Sequence, residues 1–345
     1  MATFNRRNFL LAAAGSPFAR RLTSAEAPLA EAVRAGKLQG AVLMVATGRQ
    51  RLTRAFGKAA PETVFLLASL TKPMTAAVLM RLVDEDKVKL DDPVSRHLPE
   101  LDGERSTITL RQLLNHTSGL PDMPPDNLEL RKRHAPLSEF LRSALTVPLR
   151  NRPGAEVHYQ SMGFLVTAVL AEKLVGQPFP EQMRRALFKP LGMRSASLGL
   201  GGRSMTGIAR CQVPDDPGGW NSTYWRNLGS PWGGAHGNAA DVTRLLRAFA
   251  SGQAGTLSKA STAAMLAQTT PASASGKDLY GLGWRLGVGG RGCSEATFGH
   301  SGSTGVTAWM DPQRDLSCVL LTTLPSAESQ ATLLGPVSDA VAAAL

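Results

Sequence analysis

The chain is expected to fold as an α+β domain: an antiparallel sheet built from both chain ends, flanked by helices, with a mostly helical lobe inserted between them. Three observations carry this expectation. Near the start, apolar runs at residues 40–46 and 51–56 flank a turn at Gly48, the pattern of a hairpin. The end of the chain carries four more strand-like runs, at 281–287, 296–299, 306–310 and 317–323. The last two are joined by residues 311–315. The stretch between is dominated by apolar residues at helical spacing. Strands at both ends with helices between them place the two ends in one sheet.

Taken in order, residues 1–27 read as a leader and residues 28–345 as a single domain. Its sheet lobe covers about 28–84 and 235–345, and its helical lobe about 85–234. Asn5-Arg6-Arg7-Asn8-Phe9-Leu10, followed by a short apolar stretch to Ala14, has the form of a twin-arginine export signal. Ala25-Glu26-Ala27 offers a small-x-small cleavage site, with a mature start near Pro28. This predicts a periplasmic or secreted protein, with a retained basic helix in a cytoplasmic protein as the alternative. Residues 31–37 read as a helix end, and 64–68 as an apolar approach to a helix over about 70–85. Met74, Val78 and Leu82 give that helix one buried stripe. Helical patterns follow at 110–115, 137–145, 163–174 and 181–187, separated by connections such as 121–125 and Arg152-Pro153-Gly154. Residues 214–234 read as a loop rich in Gly and Trp, 241–250 as an amphipathic helix, and 334–345 as a closing helix.

Composition excludes several function classes. At 345 residues the chain can bury a sizeable core, and 43% hydrophobic with 19% charged residues is an ordinary globular balance. No apolar stretch approaches the roughly 18 residues of a spanning helix. The net charge of +11 comes mainly from scattered arginines. The one tight run, Arg131-Lys132-Arg133, has no interleaved aromatics, so no nucleic-acid partner is expected. Three cysteines, Cys211, Cys293 and Cys318, are too few and too scattered for a disulfide framework, and none stands in a Cys-x-x-Cys spacing. They are expected to be buried thiols.

The chemistry is carried by three short motifs. Ser69-Leu70-Thr71-Lys72 is the chain's one Ser-x-x-Lys. At a helix start, positions i and i+3 share a face, so the hydroxyl and the amine can meet, and backbone N–H groups there favour developing negative charge. The serine needs a base, and a lysine serves at neutral pH once burial or a nearby cation lowers its pKa. Pro73 falls in the first turn, where no helical donor is lost. Tyr159-Gln160-Ser161 follows the Pro153-Gly154 turn. With 3 tyrosines in the chain, a phenol there is informative, because a phenol beside a lysine can shuttle a proton. His300-Ser301-Gly302, continued by Ser303, reads as a strand end whose glycines let a substrate approach the backbone.

In this order the motifs resemble the penicillin-recognising serine hydrolases, the family of class C β-lactamases, D-peptidases and related esterases, whose signature is Ser-x-x-Lys, Tyr-x-Asn and Lys-Thr-Gly. Leu113-Leu114-Asn115-His116-Thr117-Ser118-Gly119-Leu120, Pro190-Leu191-Gly192-Met193, residues 233–241 and Tyr280-Gly281-Leu282-Gly283-Trp284 also look like family segments. The likeness runs from about Gly40 to the C-terminus. It implies Ser69 as nucleophile, Lys72 as its base and Tyr159 as donor to the leaving group. The implied oxyanion hole is the N–H groups of Ser69 and Ser303, with Ser161, His300 and Gly302 binding substrate and no cofactor or metal.

Two positions depart from the family pattern. Ser161 stands where the family has Asn, exchanging an amide for a single hydroxyl. His300 stands where the family has Lys, exchanging a fixed charge for a group with an ordinary pKa of roughly 6.5. Both point away from a peptide or lactam and toward ester hydrolysis. The expected partner is a small ester, amide or lactam. A D-amino-acid peptidase, DD-carboxypeptidase or weak β-lactamase is the alternative within this chemistry, and a slowly acylating module without turnover the alternative outside it. His116 is expected to be a structural turn histidine. Trp220, Tyr224, Trp225 and Trp232 either line an acyl pocket or cover the core. Oligomeric state is left open.

Overall fold

A computed structural model describes residues 10–11, 16–274 and 276–345. Arg6 and Arg7 of the expected export signal lie outside the described residues.

The sheet expected from the two chain ends forms. Ten strands are present among the described residues: β1 Leu10–Leu11, β2 Gly40–Thr47, β3 Gln50–Gly57, β4 Phe65–Leu66, β5 Ser197–Leu198, β6 Ala235–Gly237, β7 Arg285–Leu286, β8 Phe298–Gly302, β9 Val306–Asp311 and β10 Leu316–Thr322. Seven make one sheet in the order β1-β3-β2-β10-β9-β8-β7. All its pairings are antiparallel except that of β1 with β3. The first hairpin turns at Gly48-Arg49, where Gly48 takes a left-handed φ of 54°.

Central strands are buried on both faces, which is why β2 reads as an unbroken apolar run. Val42 and Met44 belong to the core shared with the helical lobe. Ala41, Leu43 and Val45 belong to a second core beneath the terminal helices. On β9 the same alternation sends Val306, Ala308 and Met310 toward the helical lobe and Trp309 the other way, where its indole N–H meets Ser338 Oγ at 3.1 Å. His300 on β8 is in register with Ala308, so it lies on the face that looks into the molecule.

The helix after Ser69 spans Thr71–Asp84. Its burial exceeds the single stripe expected: every residue from Thr71 to Met80 is buried, because the lobe closes around it. Helices Leu110–Leu114, Leu137–Thr146, Met162–Val175 and Ala239–Ala250 follow the expected segments, and the closing helix is Gly335–Ala344. Leu110–Leu114 is opened by a reciprocal cap between Thr109 and Gln112. Helices not anticipated include Asn127–Lys132, Lys259–Leu266 and Ser326–Ser329. Another, Thr223–Leu228, interrupts the stretch read as a Trp-rich loop. The strand expected over 281–287 shrinks to Arg285–Leu286, while β4, β6 and β5 form a small second sheet with no counterpart in the expectation.

Residues before Pro28 are part of the fold: helix Pro17–Arg21 and helix Thr23–Arg34 lie on the sheet's outer face, with Leu22, Ala25 and Leu29 fully buried. Glu26 pairs with Arg54 of β3 at 3.1 Å. The expected cleavage site at Ala25-Glu26-Ala27 therefore falls inside a packed helix. In this helix Ala25 packs closely against the sheet.

No helix among the described residues is long and apolar enough to cross a membrane. Leu29→Ala is expected to lower unfolding free energy by about 2–5 kcal/mol, and deletion of residues 16–27 to lower it further. Urea denaturation measures both. Wild-type stability in the deletion would contradict the assignment of this helix to the core.

Candidate active site

Ser69 sits on a bend the sequence does not announce. Ala68 takes a φ of +44°, left-handed for a residue with a side chain, at a cost of roughly 1–2 kcal/mol. The turn is fastened from several sides. Thr71 Oγ1 donates to the Ala68 carbonyl at 2.7 Å and accepts the Ala235 N–H at 3.0 Å. The Leu67 N–H donates to the Ala235 carbonyl at 2.8 Å, and Thr75 Oγ1 to the Pro231 carbonyl at 2.6 Å. Backbone strain is thus held by the 230–235 segment crossing over the helix start.

Lys72 is wholly buried. Its Nζ lies 3.2 Å from Ser69 Oγ and 3.2 Å from the Trp232 carbonyl, and 4.6 Å from the centre of the Tyr159 ring. Burial lowers its pKa to about 7, with the negative charge of Asp122 opposing the shift. The amine is thus poised between its two protonation states near neutral pH.

Tyr159 is brought alongside from a segment about ninety residues away. The residue is 36% exposed, while its hydroxyl interacts with Ser69. Burial around the hydroxyl raises its pKa well above the ordinary phenol value, against that Ser69 interaction, so the phenol keeps its proton. Ser69, Lys72 and Tyr159 form one cluster.

The remaining predicted residues divide. His300 is buried beside the cluster, its ring centre 6.1 Å from that of Tyr159. Its Nδ1 lies 2.7 Å from the Ser301 carbonyl, which fixes the proton on Nδ1 and leaves Nε2 as a lone pair. Burial and the charge of Lys72 lower its pKa to about 3, so it is neutral. The hydrogen bond to Tyr159 that a neutral imidazole could make is not present. Ser303 is exposed at the end of β8, and the N–H groups of Ser69 and Ser303 donate to no protein acceptor among the described residues. The two ends are tied by Thr304 Oγ1, which donates to the Leu66 carbonyl at 2.8 Å.

Gly302 and Ser161 are placed differently from expectation. A Cβ on Gly302 would stand 2.7 Å from the Leu67 carbonyl oxygen and 2.9 Å from Ala68 Cβ. The space this glycine leaves is filled by the segment carrying Ser69, not left for a substrate. Ser161 is buried, and its hydroxyl donates to Asp122 Oδ1 at 2.6 Å while its N–H donates to the Asp122 carbonyl at 3.2 Å. The side chain that stands in for the family's amide is thus already engaged.

A family model described as Beta-lactamase matches residues 25–341. The chain belongs to the Beta-lactamase family. Among solved structures, EstCE1, a hydrolase with promiscuous acyltransferase activity, matches at a TM-score of 0.79 and 23% identity, covering 94% of this chain and 99% of that one. D-amino acid amidase from Ochrobactrum anthropi SV3 matches at 0.79 and 23%, covering 94% and 98%. At these identities the likeness is one of fold. Among curated proteins, the D-alanyl-D-alanine-carboxypeptidase/endopeptidase AmpH of Escherichia coli (strain K12) is 32% identical over 174 residues, 46% of this chain and 45% of that protein. The chain spans less than half the length of the curated relatives it matches.

Two charged residues beside the cluster lie outside the three motifs. Asp122 is solvent-exposed at the mouth of the cluster, and its charge acts on both Lys72 and Tyr159. Arg285 on β7 is the permanent cation whose field reaches Tyr159, His116 and His300. Neither belongs to a three-residue motif, so the one signal available was charge beside the family segments at 113–120 and 280–284. The Trp-rich stretch covers the core: Trp225 and Trp232 are buried and pack edge to face, 6.4 Å between centres, with Phe140 6.1 Å from Trp232. It meets the cluster through the Trp232 carbonyl. Among the described residues no group of His, Cys, Asp or Glu could hold a metal ion.

Gly302→Ala is expected to push β8 away from Ala68 and to slow fluorophosphonate labelling of Ser69 by about 10²-fold. Labelling at the wild-type rate would contradict this packing.

Proposed function

We propose that the chain is a serine hydrolase acting through an acyl-enzyme on Ser69, with ester hydrolysis as its principal activity. The observation that carries this reading is the buried Lys72 amine, 3.2 Å from Ser69 Oγ with a pKa lowered to about 7. Neutral Lys72 accepts the Ser69 proton as Oγ attacks the acyl carbon. The developing oxyanion is met by the N–H groups of Ser69 and Ser303. Tyr159, still protonated, gives its proton to the departing alcohol and regains one from the Lys72 ammonium. Water then attacks the acyl carbon, losing a proton to the Tyr159–Lys72 pair, and Ser69 leaves with a proton returned to it.

Two features support esters over lactams or peptides. His300 is neutral and offers no charge to a substrate carboxylate. Ser161 is bound to Asp122 and offers no amide to hold an acyl-amide. A second reading, hydrolysis of amino-acid amides, is supported by Asp122: an exposed carboxylate at the mouth suits a substrate ammonium group, and the matched amidase from Ochrobactrum anthropi acts on D-amino acids by its name.

For p-nitrophenyl esters, kcat/KM is expected to rise as pH climbs through about 7, where Lys72 loses its proton, and to level off above. Ser69→Ala should remove roughly 10³-fold or more of this activity. Wild-type activity in that variant would overturn the reading. Turnover of D-amino-acid amides faster than of simple esters would select the second reading instead.

A further inference from the structure

We infer that His116, outside the three catalytic motifs, is the positioning residue that aims the Tyr159 phenol at Ser69. The inference rests on the acyl-enzyme reading above, and its support is independent of the motifs.

His116 holds the tyrosine segment on both sides of Tyr159. Its backbone carbonyl accepts the His158 N–H at 2.9 Å, and its ring Nδ1 accepts the Gln160 N–H at 3.1 Å. Between these two bonds the imidazole stacks on the Tyr159 ring, 4.6 Å between centres and 28° between planes. The backbone direction of the tyrosine and the plane of its ring are thus set by one residue.

His116 is itself held in place. It is fully buried and takes a φ of +66°, a left-handed conformation that histidine tolerates better than most side chains. Tyr280 meets its ring edge-on at 4.5 Å, and Phe164 lies 5.4 Å away. Gln160 is anchored in turn, accepting from Ser118 Oγ at 2.6 Å and donating to the Gln112 carbonyl at 3.3 Å. An acceptor at Nδ1 places the ring proton on Nε2, and burial keeps the ring neutral. A charged ring would turn Nδ1 into a donor facing the Gln160 donor.

Tyr159 supplies a proton to the leaving group, so its misplacement harms poor leaving groups most. A p-nitrophenolate departs without help, whereas an ethoxide does not. His116→Phe keeps an aromatic ring but removes the acceptor. It is expected to slow ethyl-ester hydrolysis about 10²-fold, a loss the size expected from an ångström-scale misplacement, and p-nitrophenyl-ester hydrolysis only a few-fold. His116→Asn restores an acceptor near Nδ1 and suits a left-handed backbone, so it should recover to within about tenfold of wild type on the ethyl ester. In a Tyr159→Phe background, His116→Phe should add almost nothing to the leaving-group discrimination.

Losses equal for both leaving groups, an Asn variant no better than Phe, or full additivity with Tyr159→Phe would each overturn the inference. Fluorophosphonate labelling reports folding separately, because fluoride needs no proton donor. If His116→Phe fails to label, the Asn variant carries the test, its ethyl-ester loss expected to exceed its p-nitrophenyl-ester loss. Full activity of Ser69→Ala would sink the acyl-enzyme reading, a result distinct from all of these.

Discussion

An amine that cannot reach water is the constraint on which the site rests. An ammonium ion taken out of water costs several kcal/mol unless paired, and among the described residues no carboxylate is in direct contact with the Lys72 amine. The group lowers its cost by giving up its proton, and the proposed mechanism uses the neutral amine as a base. Everything around it maintains that condition. The Thr71–Asp84 helix is enclosed through its first three turns, Trp232 lends one carbonyl to the amine, and the Tyr159 ring closes the remaining side. A single stripe of apolar residues would hold the helix in place. Only enclosure on all sides dries the amine.

The two lobes divide the remaining work. The sheet lobe supplies β8, next to the edge strand β7, with neutral His300 facing inward and the Ser303 N–H at its end. The helical lobe supplies Tyr159 on a segment clamped by His116. The 230–235 crossing and the strained Ala68 fix Ser69 where the lobes meet. Gly302 allows that meeting, since even a methyl group would collide with the chain leading to the serine. Exchanging a lysine for His300 removes a charge from the substrate side of the cleft, while Arg285 and Asp122 place charges of opposite sign nearby.

Features written in local pattern were legible in the sequence. The hairpin of β2 and β3 follows from apolar runs around Gly48, β9 and β10 from their length and spacing, and the helix after Ser69 from its periodicity. Ser69, Lys72 and Tyr159, which the fold brings together, each stand in a short motif, and the motifs keep their order. What escaped depends on contacts between distant segments. Strands β4, β5 and β6 are two or three residues long and too short to show a period. The packing of the Thr23–Arg34 helix on the sheet depends on Leu22, Ala25 and Leu29 meeting distant strands, which no local pattern shows. Asp122 and His116 hydrogen-bond to Ser161 and Gln160, about forty residues onward, and no spacing rule joins them. The all-round burial of Lys72 is likewise a tertiary property, since the sequence shows the lysine but not its lid.

The most direct test of this account is the protonation of Lys72 itself, followed by NMR of the side-chain nitrogen in lysine-labelled protein across a pH titration, with Lys72→Arg to assign the signal. The account predicts a midpoint near 7. A midpoint near the ordinary value of roughly 10.4 would contradict it, because a lysine charged throughout the neutral range could not take the serine proton.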